Sequence, residues 1–164
     1  MAYNARSTSR PFDPFVDSAQ TPLRIFGEEL ARKVALMHTE PATILVIDDI
    51  QDNLLVIESL LESTYQVKLA NSAKQGLIIA QTVPHPDLIL LDVLMPYMDG
   101  YEICKQLKEH PETSHIPIIF LTAAYYKENE QKGLALGAVA YVIKPINPHL
   151  LKTLISTHVG TSHG

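Results

Sequence analysis

Five side chains spread between positions 48 and 144 could act as one chemical set. They are the adjacent carboxylates Asp48 and Asp49, the carboxylate of Asp92, the hydroxyl of Thr122 and the ammonium of Lys144. Each follows a short apolar run: ILVI before Asp48, LILL before Asp92, IIFL before Thr122 and YVI before Lys144. A buried ionised carboxylate is costly unless it is paired or binds a cation. Three carboxylates gathered at one point repel one another, so that at least one pKa would rise. A divalent cation removes the conflict, and oxygen-only ligands without His or Cys suit Mg²⁺, which binds through a few carboxylates and keeps several waters. A lysine and a hydroxyl beside such a site make a phosphoryl-handling set. The metal neutralises charge on the transferred group, the lysine holds one phosphoryl oxygen and the hydroxyl another. One of the carboxylates can then be the nucleophile and form an aspartyl phosphate.

The elements that must bring these groups together alternate from residue 42 onward. Strands are expected over 42–47, 66–70, 88–91, 118–121 (ending at Thr122) and 140–143. Helices are expected over 52–63, 72–82, 100–109 and 127–136, the last stopped by Gly137, with a final helix capped by Asn147 and running to about His158. Such alternation implies an α/β fold, a parallel five-stranded sheet with helices on both faces. Ligands of open α/β sheets bind beyond the carboxyl ends of the strands, at a topological switch point. Asp48, Asp92, Thr122 and Lys144 occupy those ends. Strand 2, ending in Ala70 and Asn71, offers little there.

With 164 residues the chain holds one domain with a sizeable core and some extra segment. A net charge of −5 argues against direct nucleic-acid binding, which needs a basic face. The single cysteine, Cys104, excludes an intramolecular disulfide and fits a reducing compartment. No apolar run approaches the roughly 20 residues of a membrane helix, and the first residues lack the apolar core of a secretory signal. The expected location is the cytoplasm, without membrane attachment. Residues 1–20, with Pro11 and Pro14 and no periodicity, read as a flexible arm. Residues 21–40 read as an N-terminal extension helix, with Thr21 as N-cap, Pro22 in the first turn, and Leu23, Phe26, Leu30, Val34 and Met37 on one stripe. That stripe packs on its own domain, docks on a partner, or joins two copies of the chain through residues 21–38. Residues 160–164 read as a disordered tail.

Residues 42–159 resemble the receiver domain of two-component response regulators. The motifs that carry the resemblance are ILVIDD, LILLDVLMPYMDG, IIFLTA and YVIKP, in that order. The resemblance implies a flavodoxin-like, doubly wound (βα)5 sandwich with strand order 2-1-3-4-5. It makes Asp92 the phosphoacceptor, and Asp48 and Asp49 the acidic pair that holds Mg²⁺ with the Asp92 side chain and the Leu94 backbone carbonyl. Thr122 becomes the switch hydroxyl, Lys144 the lysine that pairs with the phosphoryl group, and Tyr141 the aromatic residue that changes rotamer as Thr122 moves. Pro145 is expected to follow a cis peptide bond. A sensor histidine kinase or histidine phosphotransfer protein would donate the phosphoryl group. The chain would catalyse only its own phosphorylation and slow dephosphorylation. A downstream protein would read the face of helix 4, strand 5 and helix 5. Leu94 and Ala124, apolar where polar residues often tune dephosphorylation, imply a long-lived phosphoryl group. Ala140 stands where an acidic residue is common, with no evident consequence.

Other readings compete. Asp48-Asp49 alone could be a charge device at a helix N-terminus. A Mg²⁺-dependent phosphatase with an aspartate nucleophile would want a second acid two residues on, where this chain has Leu94. The domain could be a docking module that is never phosphorylated, though it keeps every residue of the set. It could also stand alone, or form the receiver portion of a hybrid histidine kinase or of a cyclic-di-GMP phosphodiesterase or cyclase regulator. The seven histidines show no metal-ligand spacing with cysteine.

Overall fold

The structure is a computed structural model that describes residues 27–33, 40–123 and 125–159. The expected arm over 1–20, most of the expected extension helix, Ala124 and the tail 160–164 lie outside the described residues. The chain divides into two units, 1–40 and 41–164. In the first, residues 27–33 are helical and Lys33 sits 4.0 Å from Glu29, one turn away.

In the second unit the apolar runs form five strands: β1 (Thr43–Ile47), β2 (Gln66–Ala70), β3 (Leu88–Asp92), β4 (Ile118–Thr122) and β5 (Ala140–Ile143). Between and after them lie α1 (Gln51–Leu61), α2 (Ala73–Gln81), α3 (Gly100–Glu109), α4 (Lys127–Ala135) and α5 (Pro148–Val159). All neighbouring strands are parallel, in the order β2-β1-β3-β4-β5. The flavodoxin-like order expected from the resemblance is therefore present.

Alternate residues of each strand feed two cores. Leu45, Ile47, Ile89, Leu91 and Phe120 face a layer that includes Ala80 of α2 and Ile103, Cys104 and Leu107 of α3. Ile44, Val46, Leu88, Leu90, Ile119 and Leu121 face Leu54, Ile57 and Leu61 of α1 and Leu151 and Ile155 of α5. The central strands are buried on both sides, which is why they read as unbroken Val/Ile/Leu runs. Each such buried Leu or Ile contributes about 1.5–3 kcal/mol relative to an exposed one. β2 is half-buried. This edge strand buries only Ala70, because a single neighbouring strand supports it.

Side-chain caps fix the helix starts where the sequence places them. Ser72 Oγ accepts from the Gln75 amide at 3.2 Å, and Asn147 Oδ1 accepts from Leu150 at 3.0 Å. α1 differs: it opens on Ile50, without a side-chain cap, and stops at Leu61, where Ser63–Tyr65 turn toward β2. The Lys144–Pro145 bond is cis, as expected, and so is Val83–Pro84, which the sequence did not signal. Among the described residues no helix is long and apolar enough to cross a membrane.

Candidate functional site

Parallel register brings the polar strand ends to one rim. Ile47 pairs with Leu91 and Asp92 with Leu121, so Asp48, one step past β1, comes beside Asp92 at the end of β3. Thr122 closes β4 opposite Ile143, and Lys144 follows directly; its amide donates to the Thr122 carbonyl at 2.6 Å. Asp48, Asp92 and Thr122 are 1%, 5% and 1% exposed. Their depth explains why each ends an apolar run: the strand that carries the group is itself in the core.

Lys144 is the link between the acids. Its Nζ donates to Asp48 Oδ2 at 3.0 Å and stands 3.6 Å from Asp92 Oδ1. Asp48 Oδ2 also accepts from Asn53 Nδ2 at 3.1 Å, and Asp48 Oδ1 accepts from the Ile50 amide at 2.9 Å. Asp48 is thus held in place by three protein donors. Asp49 is not: its Oδ1 is buried without a hydrogen-bond partner. Carboxylate oxygens of Asp48, Asp49 and Asp92 lie within 4.8 Å of one another. An orphaned carboxylate oxygen inside an all-oxygen acidic cluster is the donor arrangement a hard divalent cation fits.

The electrostatics agree. Burial pushes the Asp92 carboxyl up to about 6, and the charges of Asp48 and Asp49 push the same way, while Lys144 and the Leu94 amide hold it down. One ammonium does not balance three carboxylates. The surplus negative charge is the physical reason the cluster suits a cation.

The loop after β3 returns tightly. The Gly100 amide donates to the Val93 carbonyl at 2.8 Å, and a Cβ at Gly100 would collide with the Asp92 backbone carbonyl. Glycine in the Met-Asp-Gly turn therefore lets α3 start directly against the strand end that carries Asp92. Asp99 caps α3, its Oδ1 accepting from Glu102 at 2.9 Å. Leu94 is 63% exposed on this loop. Tyr141 lies on β5, half-buried against Phe120, its hydroxyl 3.3 Å from that of Tyr101.

Asp48, Asp49, Asp92 and Lys144 thus form one cluster, with Thr122 at the neighbouring strand end. Two participants escaped the sequence reading. Asn53 sits in the first turn of α1, where a polar residue signals only a solvated face. Tyr101 reads as an ordinary core aromatic. Asn71, which seemed to offer little, lines with Asp49, Lys74, Leu77, Met95 and Met98 a cavity of about 660 Å³ beside the cluster.

Residues 44–156 match the model of the response regulator receiver domain. A "Probable cyclic di-GMP phosphodiesterase" of Vibrio cholerae is 47% identical over 117 residues, 71% of this chain and 26% of that protein. "Response regulator PleD" of Caulobacter vibrioides is 40% identical over 111 residues, 67% of this chain and 24% of that protein. The match thus spans about a quarter of the length of these two relatives. Among solved structures, the Vibrio cholerae chemotaxis protein CheY4 aligns with a TM-score of 0.67 at 30% identity, covering 72% of this chain and 98% of that one.

Proposed function

Because this chain belongs to the response regulator receiver domain family, we propose that it takes a phosphoryl group on Asp92 and passes the signal on by changing conformation. The observation that supports this most is the position of Lys144 Nζ between Asp48 and Asp92, in whose acidic cluster the Asp49 oxygen is left without a hydrogen-bond partner.

A histidine kinase or histidine phosphotransfer protein would present a phosphorylated imidazole. An Asp92 carboxylate oxygen attacks phosphorus, an O–P bond forms, the N–P bond breaks and the electron pair leaves with the imidazole. Asp92 must be ionised to attack, and the Lys144 ammonium favours that form. Lys144 then donates to a phosphoryl oxygen, and the Thr122 hydroxyl donates to another. Asp48, Asp49, Asp92 and the Leu94 carbonyl would hold Mg²⁺, which neutralises charge on the phosphoryl oxygens when bound. A groove of about 300 Å³ lined by Asn53, Val56, Lys144 and Ile146 opens beside Lys144 and gives a donor protein a foothold.

The output is a population shift. Moving a two-state equilibrium from 1:99 to 99:1 takes about 5.5 kcal/mol of differential interaction, and contacts from Thr122 and Lys144 to a new dianion are its source. Thr122 turns toward the phosphoryl group and Tyr141 reorients with it, changing the surface of α4, β5 and α5 that a downstream partner reads. Such a module performs one self-catalysed transfer and a slow hydrolysis, not turnover of a small substrate. The longer Vibrio cholerae relative, named as a probable cyclic di-GMP phosphodiesterase, favours a cyclic-di-GMP enzyme as the output, in a linked domain or a partner. A reducing compartment, the cytoplasm, suits the buried free thiol of Cys104. Residues 21–38 would join two copies, which sedimentation with and without residues 1–40 tests.

The test of the function is intact mass after incubation with acetyl phosphate. The wild-type chain gains one phosphoryl group with Mg²⁺ and none with chelator, and Asp92→Asn gains none in either case. Equal labelling of Asp92→Asn would refute the assignment.

A further inference from the structure

Tyr101, in the first turn of α3, is 8% exposed, yet its hydroxyl is not idle. It donates to the Asn129 carbonyl of α4 at 3.2 Å and lies 3.3 Å from the Tyr141 hydroxyl of β5. A phenol carries one proton and accepts through its lone pairs. With its own proton committed to Asn129, Tyr101 accepts the proton of Tyr141. One oxygen thereby ties together α3, α4 and β5.

The surrounding contacts hold this junction in place. The Phe120 ring packs against both tyrosines, with centroids 5.2 Å from Tyr101 and 6.1 Å from Tyr141. Lys132 Nζ stands 4.5 Å from the Tyr101 ring centroid. Gly133 lets the α4 backbone settle on Phe120, since a Cβ there would come within 2.9 Å of that ring.

Packing alone does not need the Tyr101 hydroxyl; phenylalanine would fill the same volume. What the hydroxyl supplies is a partner for Tyr141. A tyrosine turned into a core needs one for its own hydroxyl, because an unpaired buried hydroxyl is costly. Without it, Tyr141 gains by turning its polar end to water. We propose that Tyr101 is a positioning residue, a latch that holds Tyr141 turned in and docks α4 on it, so that the chain is biased toward the phosphoryl-bound arrangement before it is phosphorylated. This rests on the reading of Tyr141 as the switch aromatic. Phe120, the register partner of Tyr141, is two residues from Thr122 on β4, so latch and hydroxyl act on the same stretch of sheet.

The full chain tests this as wild type, Tyr101→Phe, Tyr141→Phe and the double variant, each titrated with beryllofluoride in the presence of Mg²⁺ while tyrosine ring resonances are followed. Each single change should weaken beryllofluoride binding about 3- to 10-fold, the size of one net hydrogen bond. The double variant should bind no worse than either single one, because both remove the same bond. In the free Tyr101→Phe chain the Tyr141 resonances should move toward those of a solvent-exposed ring. Affinity within about twofold of wild type, tighter binding, or additive losses would overturn the latch. A wild-type chain that ignores beryllofluoride would refute the phosphoryl reading instead. The latch is then judged on the free protein alone, where unmoved Tyr141 resonances in Tyr101→Phe overturn it. Retention of the aromatic ring keeps the core filled, and a cooperative unfolding transition in each variant confirms that the comparison is between folded chains.

Discussion

Lys144 and Asp48 are 96 residues apart in the chain and 3.0 Å apart in the fold. That ion pair joins the ends of β1 and β5, across β3 and β4, and aims the remaining reach of the ammonium at Asp92. Replacing Lys144 with Gln removes the only cation among the described residues shown pairing with these acids. Phosphorylation by acetyl phosphate should slow on the order of 10²-fold, the usual effect of losing one preorganised charge stabiliser. Metal-free stability should fall by about 1–3 kcal/mol, since two buried carboxylates lose their partner. Single-turnover labelling and urea denaturation in chelator measure the two effects.

Asp92 makes the metal-free protein sensitive to pH in a defined direction. Its folded pKa, about 6, exceeds the ordinary 3.8. Between those values the folded chain holds more protons than the unfolded chain, so this group's contribution to stability falls as pH rises from about 4 to 6 and stays low above. Asp92→Asn removes that contribution. In chelator it should be more stable than wild type by on the order of 1–3 kcal/mol at pH 7.5 and nearly equal at pH 4. Denaturant midpoints at the two pH values decide it; a gap that widens on acidification would contradict the assignment.

Mg²⁺ should reverse that penalty. A cation that binds the folded cluster alone stabilises by RT ln(1 + [L]/Kd), about 2.7 kcal/mol at a hundred times Kd. Thermal unfolding should shift upward with MgCl₂ in wild type. The shift should largely vanish in Asp49→Asn, because the Asp49 oxygen has no protein donor to satisfy it.

Cys104 should be inert. It is fully buried in α3, and burial pushes its thiol up to about 11, against the opposing pull of Lys108. A thiol-specific chromogenic reagent at pH 8 should leave it unmodified in the native chain and react fully in denaturant. Fast native labelling would mean that α3 opens readily.

Leu94 offers no polar side chain to orient an attacking water, and it is exposed on the loop beside Asp92. The phosphorylated chain should therefore keep its label for minutes or longer. Release within seconds, followed by loss of the intact-mass increment after removal of acetyl phosphate, would contradict this.

Much of the site was legible because the fold hides its strands and exposes their ends. A run such as Leu88–Leu91 is buried on both faces, so the first polar residue after it marks the rim. Four such rims in succession named Asp48, Asp92, Thr122 and Lys144. What sequence could not show were contacts that depend on a hydroxyl or amide meeting a partner far along the chain. The Tyr101–Tyr141 pair spans 40 residues, and neither residue differs in pattern from a packing aromatic. Asn53 looks solvated until the Asp48 carboxylate is placed beneath it.

The central claim is that Asp92 carries the phosphoryl group, and reductive trapping tests it directly. Borohydride reduces an acyl phosphate and turns the aspartate that bore it into homoserine. After acetyl phosphate and Mg²⁺, peptide mass mapping should find homoserine at position 92 and intact aspartate at positions 48 and 49. Homoserine at either of those positions, or at none, would contradict the account.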